Sequence, residues 1–311
     1  MKKNLNITNL VGINLSFSNR TQHFYEKMDF TYHKYETFCK VLAESGIPVL
    51  TVRDYILLEK KPAKFTIIRH DIDDESDLDY ALRMAVTENN FGLQTTYYFR
   101  ICKNVFNTEA IKQISKLGHE IGYHYEVLGE AKGDYKKAIE LFEQHLEEFR
   151  KYYDVKTIAQ HGGPLRNCLN VVKISNIRSV FAYFLRGEQI FDHWESKDLW
   201  KKYDYSMYGI IGEPYISINF AEVMYLSDTN RSWVDNVYRM KDRVNSNFQF
   251  VAIKKTDEII NHLRIGDLKK THFLIHPSNW KITVKEWVIW LFLQYARNMG
   301  KRILIVLKQK K

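Results

Sequence analysis

The segment IIRHDIDD (67–74) sets one histidine and three carboxylates directly behind two isoleucines that read as a buried strand. Acids gathered at the end of an apolar strand are unfavourable unless a positive charge balances them. Three more polar clusters follow strand-like runs: HEIGYHYE (119–126), HGGP (161–164), and His276-Pro277 after THFLI. Asp and His together form the ligand set of zinc and related first-row divalent metals, and such an ion would supply the balancing charge.

Within these clusters the residues differ in what they can do. Alternate residues of an extended segment share a face, so Asp71 and Asp73 form one pair, while Asp74 and Asp77 suit the N-terminus of the next helix. His70 either supports a site residue through a hydrogen bond or is a plain hydrogen-bonded residue. His119 follows the helix-ending Gly118 and is expected to pack or cap rather than ligate. His124 ends a strand beside the other clusters and is a candidate ligand. His161 is another, and its neighbours Gly162, Gly163 and Pro164 suit either close backbone approach to a substrate or an ordinary turn. Asp228 and Arg231, in YLSDTNRSW, form either an ion pair that orients a base or a surface turn over Trp233. Trp280 is either a ring on which a sugar stacks or a core residue.

The elements that must carry these residues alternate. Residues 31–58 read as a helix stopped at Gly46 and a short strand, PVLTV. KFTIIRHD is a strand and ESDLDYALRMAVTENNFG an amphipathic helix. LQTTYYFRI is a strand, and NTEAIKQISKLG a helix capped by Asn107 or Thr108. HEIGYHY is a strand, DYKKAIELFEQHLEEFRKYY a long helix, and VKTIAQHGG another strand. Further on, SVFAYFL, PYISINF, EVMYLSD and THFLIHP read as strands, TDEIINHLRIGD and TVKEWVIWLFLQYARNMG as helices. Strand–helix alternation predicts a parallel sheet with helices outside it, in which strand C-terminal ends share one face. Clusters far apart in sequence then meet there. We expect a loosely ordered arm over 1–29 and a single domain over 30–311.

Bulk properties narrow the function classes. The chain has 311 residues and a formal charge of +9, but its Lys and Arg are dispersed, without zinc-finger spacing or an RNA-binding signature. A basic protein with no nucleic-acid role is the expectation, with the densest cluster, LKQKK, read as a solvated tail. Three cysteines without a C-x-x-C pair point to a reducing compartment. The first residues contain no continuous apolar stretch of a leader, and EWVIWLFLQYARNMG is too short to span a bilayer. A soluble, cytoplasmic protein without a transmembrane segment is expected.

RHDIDD, GHEIGYH and FLIHP, in this order, resemble motifs of the polysaccharide deacetylases, the NodB-homology group also called carbohydrate esterase family 4. The H-D-x-D form of the first motif, HGGP and YLSDTNRSW resemble the divergent branch linked to bacterial surface-polysaccharide and O-antigen biosynthesis. The resemblance covers roughly residues 30–280. It implies an α/β fold, a distorted, incomplete (β/α) barrel of about seven parallel strands with outer helices. It also implies a metal-dependent hydrolase that removes an acetyl group from an N- or O-acetylated sugar. By position, Asp71 would be the general base, Asp73 and His124 metal ligands, and His276 the general acid. The family's second histidine ligand lies four residues after the first, where this chain has Leu128. His161 is the preferred replacement and Glu126 the alternative; a third possibility is weak or lost metal binding. A metal-independent amide hydrolase on the same fold, or a non-catalytic protein that binds glycan or a partner, are the competing readings.

Overall fold

The computed structural model describes residues 27–162, 194–233, 244 and 253–295. Its centre is a sheet of seven strands: β1 (Val49–Leu50), β2 (Phe65–Ile72), β3 (Thr96–Phe99), β4 (Glu120–Tyr125), β5 (Ile158–Gln160), β6 (Met224–Ser227) and β7 (Lys270–Ile275). The spatial order is β5-β4-β3-β2-β7-β6, with β1 beside β2, and every pairing is parallel. The sheet curls into a half-barrel flanked by helices, the incomplete α/β barrel that the alternation and the resemblance imply.

A strand has two edges. On β2, β7 occupies one along Phe65–His70, so β1 and β3 share the other, β1 at Thr66–Ile67 and β3 at Arg69–Ile72. All eight residues of β2 are buried, as a central parallel strand requires.

The helices start where short polar side chains take up the first unpaired N–H groups. Thr31 opens α1 (Tyr32–Glu44) and Thr51 opens α2 (Val52–Leu57). Asp74 and Asp77 form a reciprocal capping box on α3 (Glu75–Asn90). Asn107 caps α4 (Thr108–Lys116), which stops at Gly118 with φ +90°. After the one-turn α5 (Val127–Glu130), Asp134 caps α6 (Tyr135–Arg150). The remaining helices are the one-turn α7 (Pro214–Ser217), α8 (Thr256–Ile265) and a helix over 284–295, here α9.

Two expectations change, and the described end of the expected arm is held in place. PVLTV is a strand only at Val49–Leu50, because the Thr51 hydroxyl accepts from Asp54 N–H and starts α2. PYISINF opens with helix α7 rather than a strand: Glu213 caps Ile216 N–H, and Pro214 supplies a first helical position. The expected arm over 1–29 is anchored at its described end, with Met28 buried and the Asp29 carboxylate accepting from Thr256 N–H at 3.1 Å. SVFAYFL lies outside the described residues.

The period-two alternation of strands sorts side chains onto two faces. One face packs under the helices: Ile72, Tyr97, Phe99, Ile121, Tyr123, Tyr125 and Ile158 meet α3, α4 and α6, while Ile68, Phe273 and Ile275 meet α1 and α8. The other face is the concave interior, where Glu120 accepts from Thr96 Oγ1 (2.7 Å) and Thr157 Oγ1 (2.5 Å), and Tyr98 OH donates to Thr157 Oγ1 (2.9 Å). Gly122 must lack a side chain, since a Cβ there would lie 2.2 Å from the Tyr98 ring.

Candidate metal centre

Parallel register brings the predicted clusters to one end of the half-barrel. His70 pairs with Ile275, so His276 emerges beside Asp71. Tyr125 pairs with Gln160, so His161 emerges beside the end of β4. His124 faces inward from β4, and Asp73 lies just beyond β2.

Asp73, His124 and His161 meet there, offering one ligand atom each, all within 4.8 Å of one another. Asp73 Oδ1 lies 3.2 Å from His124 Nε2 and 3.7 Å from His161 Nε2, and Asp73 Oδ2 lies 3.7 Å from His276 Nε2. The far side of each ring is anchored. His124 Nδ1 is 2.9 Å from the Ala159 carbonyl oxygen; a carbonyl only accepts, so Nδ1 carries the proton. His161 Nδ1 donates to Glu126 Oε2 at 2.9 Å, and His276 Nδ1 to Asp228 Oδ1 at 2.7 Å. Neutral imidazoles so anchored at His124 and His161 turn two Nε2 lone pairs to the side of Asp73, where an ion would sit. Metal-binding histidines typically have their other N–H held by a carbonyl or carboxylate in this way.

The electrostatics fit a cation. Asp73 Oδ1 and Asp71 Oδ1 are buried, and neither makes a hydrogen bond. Burial alone would raise the Asp73 pKa, but His161, His124 and His276 hold it well below the usual carboxylate range. Burial disfavours charge on His124, yet Asp71 and Asp73 outweigh it and raise its pKa. A proton or a divalent ion can thus satisfy the same carboxylates, and the two compete. Burial, then the Arg100 guanidinium, lowers the His161 pKa and favours the neutral ring that ligates.

Two groups flank this triad. Asp71 Oδ2 lies 3.5 Å from His124 Nε2 and 3.4 Å from an Arg69 nitrogen that also donates to Tyr215 OH at 2.5 Å. On the other side Asp228, fully buried, accepts from His276 N–H (3.0 Å), His276 Nδ1 and the Trp280 indole N–H (2.9 Å). Burial opposes charge on His276, but the Asp228 bond raises its pKa well above the ordinary value, so this ring holds its proton near neutral pH.

The other predicted site residues lie elsewhere. His70, considered as support for a site residue, is on the helix-covered face, fully buried, 2.7 Å from Glu88 Oε1; one step along a strand reverses the face. Trp280 is a core ring, 1% exposed, packed on Phe30 and Tyr35, so it cannot stack on a sugar. Arg231 lies over the Trp287 and Phe30 rings, and it is Arg69 that sits beside Asp71. Asp228 therefore orients His276 rather than the base. Gly162 follows His161 at the mouth; Gly163 and Pro164 lie outside the described residues.

Leu128 is a core residue of α5, 1% exposed. Glu126, the alternative ligand, instead supports His161 and pairs with Arg100, whose Nη1 also donates to the Asp73 carbonyl at 2.7 Å. Arg69 and Arg100 were the functional residues overlooked. Arg69 is two residues before Asp71 and so on its face, and Arg100 directly follows β3; both signals are present in the sequence.

Comparison of the chain with family models, with curated proteins and with solved structures finds no match.

Proposed function

We propose that this protein is a metal-dependent hydrolase that removes an acetyl group from an N- or O-acetylated sugar in surface-polysaccharide biosynthesis. The observation that carries this reading is the convergence of two Nε2 atoms, from His124 and His161, on Asp73, with a carboxylate, Asp71, on one side and a third histidine, His276, on the other. The resemblance of RHDIDD, GHEIGYH and FLIHP to polysaccharide deacetylase motifs supports the substrate class. The Asp-His-His donor set suits zinc best among common divalent ions.

In this reading Asp73, His124 and His161 would hold the ion, and the chemistry it would supply is polarisation of the acetyl carbonyl and acidification of water. Asp71 accepts the proton of the attacking water at a carboxylate oxygen, with the Arg69 guanidinium 3.4 Å from Oδ2. His276 protonates the departing amine or alkoxide from Nε2, because Asp228 keeps the ring charged and fixes its orientation. Water adds to the acyl carbon, the bond to the sugar nitrogen or oxygen breaks, and acetate leaves. Glu126 and Ala159 keep the two ligand rings turned inward.

Acetate release from a panel of acetylated sugars, before and after exhaustive chelation, tests the proposal. Activity should disappear with the metal and return with zinc or another divalent ion. Full turnover after chelation would replace it with the metal-independent amidase. Metal-free protein that neither takes up metal nor hydrolyses any sugar would leave the binding-protein reading.

A further inference from the structure

The sheet order β4-β3-β2 sets β3 between the two strands whose ends carry His124 and Asp73. Ile72 pairs with Phe99, and Phe99 with Tyr123, so the residue after Phe99 emerges between those two side chains. That residue is Arg100, buried at 5% exposure. The ends of β2, β4 and β5 each supply a candidate ligand, whereas the end of β3 supplies a cation. A guanidinium buried beside a cation site works against the ion unless carboxylates hold it there. Its contacts show what holds it. Nη1 donates to the Asp73 carbonyl oxygen at 2.7 Å, and Nη2 pairs with Glu126 Oε1. The other oxygen, Glu126 Oε2, accepts from His161 Nδ1 at 2.9 Å. One guanidinium fork therefore ties the main chain of one candidate ligand to the carboxylate that orients another, and both Glu126 oxygens are engaged.

Glu126 is itself a ligand type, two residues after His124 at the same strand end. Released from Arg100, it would bring an unbalanced negative charge and a further oxygen donor to a mouth that already holds Asp71 and Asp73. Imidazole-rich donor sets suit zinc, and carboxylate-rich sets suit harder, oxygen-preferring ions such as manganese and magnesium. With Glu126 engaged, one carboxylate and two imidazoles are left to face an ion. We propose that Arg100 is a positioning residue that sets the metal selectivity of this centre, holding Glu126 on His161 so that the site takes zinc in preference to manganese. The inference rests on the metal-dependent reading above and is indifferent to the substrate.

The test measures zinc and manganese affinity by chelator competition in the full chain and in Arg100→Gln, Arg100→Lys and the double variant Arg100→Gln, Glu126→Gln, with thermal midpoints to check folding. The wild type should prefer zinc. Arg100→Gln should weaken zinc binding by about 10–100-fold, as loss of a group that orients ligands does, while manganese affinity holds or rises. The zinc-to-manganese ratio then falls by about the same factor or more. Arg100→Lys keeps the charge but not the fork, so its ratio should fall less. Adding Glu126→Gln to Arg100→Gln should return the ratio, though not the zinc affinity, towards the wild-type value, because the released carboxylate is gone. An unchanged ratio in Arg100→Gln overturns the proposal; if that variant does not fold, an unchanged ratio in Arg100→Lys does so. An equal fall in Arg100→Gln and the double variant also overturns it, since Arg100 then acts without Glu126. Wild-type protein that binds neither ion removes the metal-dependent reading as well, whereas zinc binding with an unchanged ratio removes this inference alone.

Discussion

The two faces of β2 carry the same residue types to opposite ends. On the helix-covered face His70 meets Glu88, a carboxylate with no exposed surface that also accepts from Thr95 Oγ1 (2.8 Å), Tyr97 OH (2.6 Å) and Tyr35 OH, with His119 Nδ1 3.7 Å away. On the concave face, one residue along, Asp71 and Asp73 meet His124, His161 and His276, and an oxygen of each carboxylate makes no hydrogen bond. The first carboxylate is closed: both Glu88 oxygens are filled by protein donors, which makes it a rigid tie between α1, α3 and the sheet. The second is open and acceptor-rich, which makes it a place for a cation and a substrate. Residue type does not separate a structural polar cluster from a functional one; completion of the carboxylate's hydrogen bonds does.

That contrast can be broken at either face. The largest effect is expected from Asp71→Asn or His276→Ala, each lowering acetate release by ~10²–10⁴-fold without shifting the melting midpoint. Wild-type turnover in either purified variant would remove that residue from the chemistry. Next, Glu126→Gln leaves His161 without its anionic partner and should weaken metal affinity by about 10–100-fold, measured by competition with a chelator. An unchanged affinity would mean that Glu126 serves only Arg100.

The smallest change, and the sharpest for the comparison, is Glu88→Gln. It should lower unfolding free energy by about 1–3 kcal/mol in denaturant titrations while metal content is retained. Burial would raise the Glu88 pKa, but His70 and His119 outweigh it and bring it to about 2. A depressed carboxylate pKa adds stability above its unfolded value, near 4.5, which is lost as pH falls towards about 2. The lowered pKa of buried His119 acts in the same direction, beginning below its ordinary 6.5. Stability should therefore fall on acidification through that window, and less steeply in the variant. Equal slopes would place the acid sensitivity elsewhere.

Much of this was legible beforehand. Hydrophobic period separated strands from helices over 64–160, and the alternation implied parallel pairing, which sends strand ends to one mouth. The Asp74–Asp77 cap was readable because a capping box is a local pattern. PYISINF was misread because Glu213, just outside the strand-like run, starts a helical turn. His70 and Trp280 stay open on sequence for a different reason: His and Trp serve sites and cores alike, and only the face they occupy decides.

The sequence alone determined the ligand types, their order and the strand ends that carry them, because periodicity and capping are properties of neighbouring residues. Only the tertiary structure decided that His161 stands where Leu128 cannot ligate, that Glu126 supports rather than binds, and that Asp228 serves His276. Those assignments rest on contacts across strands, set by register and by the curl of the sheet, and no local pattern encodes them.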